Sequence, residues 1–457
     1  MSKKEQLKIL CPNGHLGFAP SKEESFWIGV EEKPDYYCCD SGSNDIGPTP
    51  LGADQSVSPY EWQVHDLEML LVASRKQGVP MLIGSSGDTG SNSRVDMYVD
   101  IIKKLAEKHN IPKFKLGYFY SEVPVEYVIQ KLKEGVVIEG LDGRPNLTIE
   151  EAEATDRIVA VAGVHPFMKL LDMGADVIIG GRSSDSCIFA APALREGFPE
   201  ALSYYLGKVM ECASFCAEPY GAKETIIGTI THDEVRVTAM HPKQRCTVES
   251  VAAHAMYERS NPFYEHVAGG LLDMTNCSYR QYDEKTCAIT GPKFIPTEGQ
   301  IKIKLEGAGK IGERYIGIAG IRDPYLVANV DKVIEWAKSQ VEERFKGREH
   351  QVHFHVYGKN GVMGDLEPMN NAQPHELCIV VEGIAPTKEE AYEVAMIGSR
   401  QLFYARLPEV KGTAGTAAFI IDEVFPASPA YRWTLNHVIP VNDPLELFQI
   451  HMTEAGV

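Results

Sequence analysis

The chain has 457 residues, ten of them cysteine, and a formal net charge of -18 at pH 7. Its 44% hydrophobic and 24% charged residues are those of a soluble globular protein with a large core divided among two or three domains. The acidic balance argues against nucleic acid and anionic membrane surfaces as partners. No apolar run approaches the length of a membrane span, and the opening MSKKEQLKILCPNG lacks the pattern of a signal peptide. A cytoplasmic location is therefore expected. Cys38 and Cys39 are adjacent and most other cysteines lie in apolar segments, which predicts reduced thiols and not a disulfide framework.

In chain order, Leu7 to Leu10 is an apolar run of strand type, with Asn13, Gly14, His15 and Gly17 at its exit. Tyr36 to Cys39 leads into Asp40, Ser41, Gly42, Ser43, Asn44, Asp45 and Gly47, and Met81 to Ile83 leads into Gly84, Ser85, Ser86, Gly87, Asp88, Thr89 and Gly90. Between these runs, Glu61 to Lys76 and Val95 to His109 repeat apolar residues at helical spacing. Phe114 to Tyr120 and Ile158 to Ala162 read as further strands. The second is followed by Gly163, His165 and Pro166. His165 is either an acid or base titrating near neutrality or a packed residue with a satisfied hydrogen bond.

The stretch Ala175 to Cys187, ADVIIGGRSSDSC, repeats the strand-and-loop pattern a fourth time. Val177 to Ile179 forms the strand, Gly180 and Gly181 turn the chain, and Arg182, Ser183, Ser184, Asp185 and Ser186 follow. Ser184 or Asp185 is placed to cap a helix near Ile188, which Pro192 should kink or displace. Alternating strands and helices predict an α/β fold, a parallel sheet with flanking helices (Rossmann-like) over residues 1–222. Loops at the carboxyl ends of such strands gather at one edge, where ligands bind. Glycines and exposed N–H groups there favour an anion, phosphate or carboxylate; capped turns are the plainer alternative.

From Gly221 the pattern shifts to alternating strands, Thr225 to Thr229 and Val235 to Thr238, and predicts a C-terminal α+β domain over 223–457. Cys212 and Cys216 share a helical face but lack a second pair, so they read as buried thiols and not zinc ligands. His241, Pro242, Lys243, Gln244 and Arg245 make a local basic cluster ahead of a helix expected to end near Glu258. Gly307 to Gly312, GAGKIG, matches the dinucleotide fingerprint, but the strand-like Tyr315 to Ile318 follows where a helix is required. A β-hairpin is expected, and no nicotinamide enzyme. Walker, H-E-x-x-H and G-x-S-x-G motifs are absent. Thr387 and Glu390 have capping-box spacing for a helix running to Tyr404, Lys411 to Thr416 offers small polar residues for a site, and Ala418 to Ile421 reads as a strand.

The runs GADVIIGGRSSDSC, GKVMECASFCAEPYG and HAMYERSNPFYEHVAGGLLD together resemble the acyclic terpene utilisation protein A (AtuA) family, across much of residues 1–290. Relatives sit near genes of acyclic terpene degradation, or near methylaspartate-pathway genes with a small companion protein; the longer C-terminal region here is similar to the second kind. The resemblance implies carboxylic acid catabolism and a lyase, specifically a hydro-lyase (hydratase), acting on an unsaturated or branched dicarboxylate such as mesaconate or citramalate. It implies a small partner subunit, and a homo-oligomer is expected.

Adding water to such an acid needs an anion clamp, donors for an enediolate-like charge and an acid/base pair. Arg182 is the candidate clamp, with Asn13, Ser85, Ser86, Thr89, Ser183 and Ser184 as further substrate-binding residues. N–H groups around Gly84 to Gly87 and Gly180 to Gly181 are candidate donors. Asp88, Asp185 and His165 are candidates for proton transfer. Asp45, Asp88 and Asp185 are the oxygen ligands available to a divalent cation. Two other readings stay open: a coenzyme A thioester-handling enzyme of branched-acid or terpene catabolism, and a non-catalytic ligand-binding subunit.

Overall fold

Residues 4–221, 223–257, 259, 261–369, 373–412, 415–419 and 424–457 are described in the computed structural model. The apolar runs form strands whose alternate side chains enter two cores, one on each face of a single sheet. The strands are β1 (Gln6–Cys11), β2 (Tyr36–Gly42), β3 (Met81–Asp88), β4 (Phe114–Tyr120), β5 (Val177–Gly180), β6 (Ile226–Thr231), β7 (Val235–Ala239), β8 (Ser278–Gln281), β9 (Thr286–Thr290) and β10 (Gln449–Ala455). Their order is β8-β9-β7-β6-β1-β2-β3-β5-β4-β10.

Tyr37, Cys39, Met81, Ile83, Val177 and Ile179 share one core with helices Glu23–Glu31, Tyr60–Gln77 and Asn92–Lys108. Cys38, Leu82 and Ile178, their neighbours in sequence, share the other with helices His165–Asp172, Cys187–Arg195 and Glu200–Met210. Burial on both faces is why these strands read as continuous apolar runs and not as alternating ones.

The fold is mixed α/β, but the sheet is not the parallel one expected. β1-β2-β3-β5-β4 are parallel, while β6 joins β1, and β10 joins β4, antiparallel. The alternating texture after Gly221 belongs to this same sheet: β6 lies along the whole of β1, Gln6 opposite Thr231 and Cys11 opposite Ile226. The chain accordingly divides into compact units of 1–308 with 433–457, and 309–432, and not at 222/223. Arg157–Ala160, expected in the main sheet, pairs instead with Leu305 to Ala308.

No hairpin forms at GAGKIG; Ile301–Ile321 is one continuous strand. Its glycines serve close approach and not turning: a Cβ on Gly307 would lie 2.8 Å from Leu435 Cδ1, and one on Gly312 would lie 2.6 Å from the Ala385 carbonyl oxygen. The helix that the dinucleotide fingerprint needs is absent there, as expected.

In the second unit, Glu313 to Ile321 pairs antiparallel with Leu377–Ala385, which pairs with Gln351–Tyr357. Helices Val330–Arg344 and Lys388–Tyr404 bury Val333, Val341, Val394 and Leu402 against Ala319, Ile379 and Val381. Thr387 caps the latter helix by accepting the Glu390 N–H, the spacing read from the sequence. Of the stretch 411–416, Thr413 and Ala414 lie outside the described residues, as do Ile420 and Ile421 of the strand expected after it and Glu258, the expected helix end.

Candidate functional site

The carboxyl ends of the parallel strands do carry the polar loops, and those after β1, β2 and β5, but not the one after β3, border a cavity of about 1780 Å³ within the first unit. Arg182 sits in its wall on the loop after β5, and that loop is locked against the one after β3. The Arg182 N–H donates to the Gly90 carbonyl, the Ser85 N–H to the Gly181 carbonyl, and a Cβ on Gly90 would lie 2.1 Å from Arg182 N. Gly90 (φ 65), Ser85 (φ 46) and Asp88 (φ 77) adopt positive φ to make this fit, a strained run of backbone. Because the Ser85 and Gly181 N–H groups are spent on carbonyls, they are not available as donors to a developing negative charge.

The Arg182 side chain is also engaged. Nε donates to Glu306 Oε2 at 2.8 Å and Nη2 to Glu306 Oε1 at 3.4 Å; Nη1 meets Ser85 Oγ, the Ser183 carbonyl and Asp185 Oδ1 at 3.0, 2.7 and 3.0 Å. Burial would raise the Glu306 carboxyl, but Arg182 and Lys304 overcome it and bring it down to about 2. The fork expected to grip a substrate carboxylate therefore grips Glu306. Asp185 turns to Arg182 and not to the following helix, whose start at Cys187 has no side-chain cap. Behind this ion pair Asp40 is fully buried with Oδ1 unpartnered, and burial and Asp185 hold its carboxyl well above the usual range.

Asp88, a candidate for proton transfer, has both carboxylate oxygens engaged. Its Oδ2 accepts the Val57 and Ser58 N–H groups at 2.8 and 2.9 Å, and its Oδ1 accepts from Ser58 Oγ at 2.5 Å and meets His15 Nε2 at 2.9 Å. Burial opposes ionisation, yet His15 and Ser58 lower its pKa. Both oxygens are occupied by donors, so Asp88 fits neither base nor cation ligand. Among the described residues no group of three or more His, Cys, Asp or Glu side chains is placed to hold a metal.

What Asp88 does is orient His15. A carboxylate accepting from Nε2 fixes the tautomer with the lone pair on Nδ1. Asn13, buried and outside the cavity wall, supports the same residue: its Oδ1 accepts the His15 N–H at 2.9 Å while its Nδ2 donates to Asp66 at 3.0 Å. His15 lines the cavity. The only sequence signal for it was its place in the first glycine-rich exit.

Directly against this loop lies the end of helix Glu200–Met210. A Cβ on Gly14 would meet Cys212 Cα at 2.7 Å, so His15 and Glu211 each sit one residue from a backbone contact. Glu211 is buried in the cavity wall with Lys208 Nζ at 2.5 Å. Burial pushes its carboxyl up to about 8 against the pull of Lys208, with Glu265 and Asp185 adding to the rise. Cys212, pushed up to about 12 by burial and Glu211, stays a thiol.

Of the other expected residues, Ser184 and His165 line the large cavity, His165 lowered from the usual imidazole value by burial despite Asp443. Thr89 lines a small adjoining recess with Arg182 and Glu306. Ser85, Ser86 and Ser183 are fully buried between the loops, Ser86 Oγ donating to the Gly180 carbonyl at 2.7 Å. Asp45 lines the cavity, but the basic cluster His241 to Arg245 does not. Cys212 and Cys216 are unpaired thiols, as are all ten cysteines.

The class defined by this geometry is a mixed α/β protein whose strand-end loops and one helix end enclose a large, charged, histidine-bearing cavity. The chain belongs to the acyclic terpene utilisation family protein AtuA, whose family model matches residues 52–431. That segment holds Asp88, Arg182, Asp185, Glu211 and Glu306, and the loop with His15 precedes it. No protein of curated function and no solved structure matches the chain. Among the described residues no helix is long and apolar enough to cross a membrane.

Proposed function

We propose that the chain is a hydro-lyase acting on a small unsaturated or branched dicarboxylate of the mesaconate and citramalate type. The observation that carries this reading is a pair of groups on one cavity wall: His15, oriented by Asp88 at 2.9 Å, and Glu211, whose carboxyl is pushed up to about 8 by burial. Two titratable groups in contrasting environments are what acid/base assignment requires. In the dehydration direction His15 Nδ1 takes the proton from the carbon α to one carboxylate. The C–O bond on the neighbouring carbon breaks as Glu211 protonates the departing hydroxyl, leaving a double bond and water. Hydration is the reverse. Asp185, in the same wall and paired with Arg182, is the further proton-transfer candidate.

The cavity volume favours a second reading. About 1780 Å³ exceeds the roughly 300–1,000 Å³ of ordinary small-molecule sites, which suits a coenzyme A thioester of a branched acid better than a free one. A small companion subunit, a homo-oligomer and the cytoplasm belong to the same proposal; ten unpaired thiols support a reducing compartment.

The test is turnover by the purified chain, alone and with the companion protein, on mesaconate, citramalate and their thioesters. Hydration or dehydration of the free acids supports the first reading. Activity confined to thioesters supports the second, and ligand binding without turnover in every combination removes both.

A further inference from the structure

Each cation that lines the cavity has a carboxylate partner among the described residues, with one exception. Arg182 has Glu306 and Asp185, Lys208 and Arg259 share Glu265, Lys302 has Glu139 and Lys304 has Glu306. The Lys223 ammonium makes one hydrogen bond among the described residues: Nζ donates to the His15 carbonyl at 3.1 Å. An ammonium carries three donors. Burial lowers its pKa, opposed by Cys39 and Asp66, and an arriving carboxylate would supply the close counter-charge that favours the ammonium form. Its backbone is held at φ 66, left-handed and unfavourable for lysine.

The position is that of the proposed base. The His15 ring lies 5.1 Å from the Phe18 ring, and Lys223 Nζ lies 5.7 Å from the centre of that same ring. Imidazole and ammonium thus flank one phenyl group at the cavity wall, and all three residues line the cavity.

We propose that Lys223, and not Arg182, receives a substrate carboxylate, the one whose α-carbon faces His15. The inference rests on the dicarboxylate reading above and names the residue that binds the acid. Lys223 supplies the charge that stabilises the electron pair left on that carboxylate when the α-proton departs; Arg182 with Glu306 builds the wall.

The test is equilibrium binding of mesaconate to the full-length chain by titration calorimetry, with thermal melting as the fold control. Lys223→Met should raise the mesaconate Kd roughly 10- to 100-fold at an unchanged melting midpoint, and Lys223→Arg should recover part of the loss. An unchanged Kd in Lys223→Met, no recovery with arginine, or no mesaconate binding by the wild-type chain overturns the proposal. Turnover is read separately. Binding that depends on Lys223 without hydration removes the hydro-lyase reading and leaves this site standing.

Discussion

Two carboxyls, Glu306 and Asp88, are lowered and a third, Glu211, is raised, and Glu306 and Glu211 predict opposite pH signatures. Glu306 lies at about 2, below the ordinary 4.5, because Arg182 and Lys304 outweigh its burial. A depressed carboxyl contributes stability that is present above 4.5 and lost as pH falls towards 2. Urea unfolding of Glu306→Gln should therefore lack that acid-side loss, and at neutral pH the variant should be less stable by about 3–5 kcal/mol, the cost of leaving a buried guanidinium without its main partner. Glu211 behaves oppositely. Its carboxyl, raised to about 8, contributes stability that is full below 4.5 and lost as pH rises through about 8. Activity should fall over the same upper range as the proton donor is lost, and Glu211→Gln should abolish that limb along with most turnover, read from the pH dependence of kcat/KM. Asp88 is held ionised by His15 and Ser58. Its sequence neighbours Ser86, Gly87 and Thr89 marked a special loop, and that much was legible. That the loop carboxylate would spend both oxygens on Val57, Ser58 and His15 was not, because those partners come from segments 30 or more residues away. Glu306 was hidden for the same reason: it sits in a strand whose glycines drew attention to a nucleotide motif, and its partner Arg182 is 124 residues distant.

At the scale of elements, strand identity was readable wherever both faces are buried, since Tyr36 to Cys39, Met81 to Ile83 and Val177 to Ile179 leave no polar position to confuse the pattern. Pairing was less so. Nothing in the run Ile226–Thr231 states that it lies antiparallel to β1, because an apolar edge fits a neighbour of either direction. Glycines were read as turns where several are clearances. Gly14 is the informative case: it brings the His15 loop onto Cys212, and a Cβ there would lie 2.7 Å from a main-chain carbon. Gly14→Ala must displace loop from helix end, so kcat should fall by an order of magnitude or more while global unfolding shifts little, about 1–3 kcal/mol. Equal turnover in that variant would separate His15 from Glu211 functionally. Gly307→Val, whose side chain would meet Leu435 at 2.8 Å, should destabilise the chain by a similar amount without a selective effect on turnover.

For the whole molecule, ten cysteines without a disulfide predict a thermal midpoint that is the same with and without a thiol reductant; a reductant-dependent fall would mean that covalent cross-links hold the fold. Net charge of -18 coexists with a cavity lined by six lysines and arginines, five of them matched to carboxylates, so a low overall potential and a local anion site are compatible. In the proposed hydro-lyase chemistry a proton moves from carbon through His15. This step is tested most directly by incubating mesaconate and citramalate with wild-type chain and His15→Gln in deuterated water and following the carbon-bound protons by magnetic resonance. Hydration should carry deuterium into the position α to a carboxylate in the wild type and fall roughly 100-fold or more in the variant. Undiminished exchange in His15→Gln would contradict it.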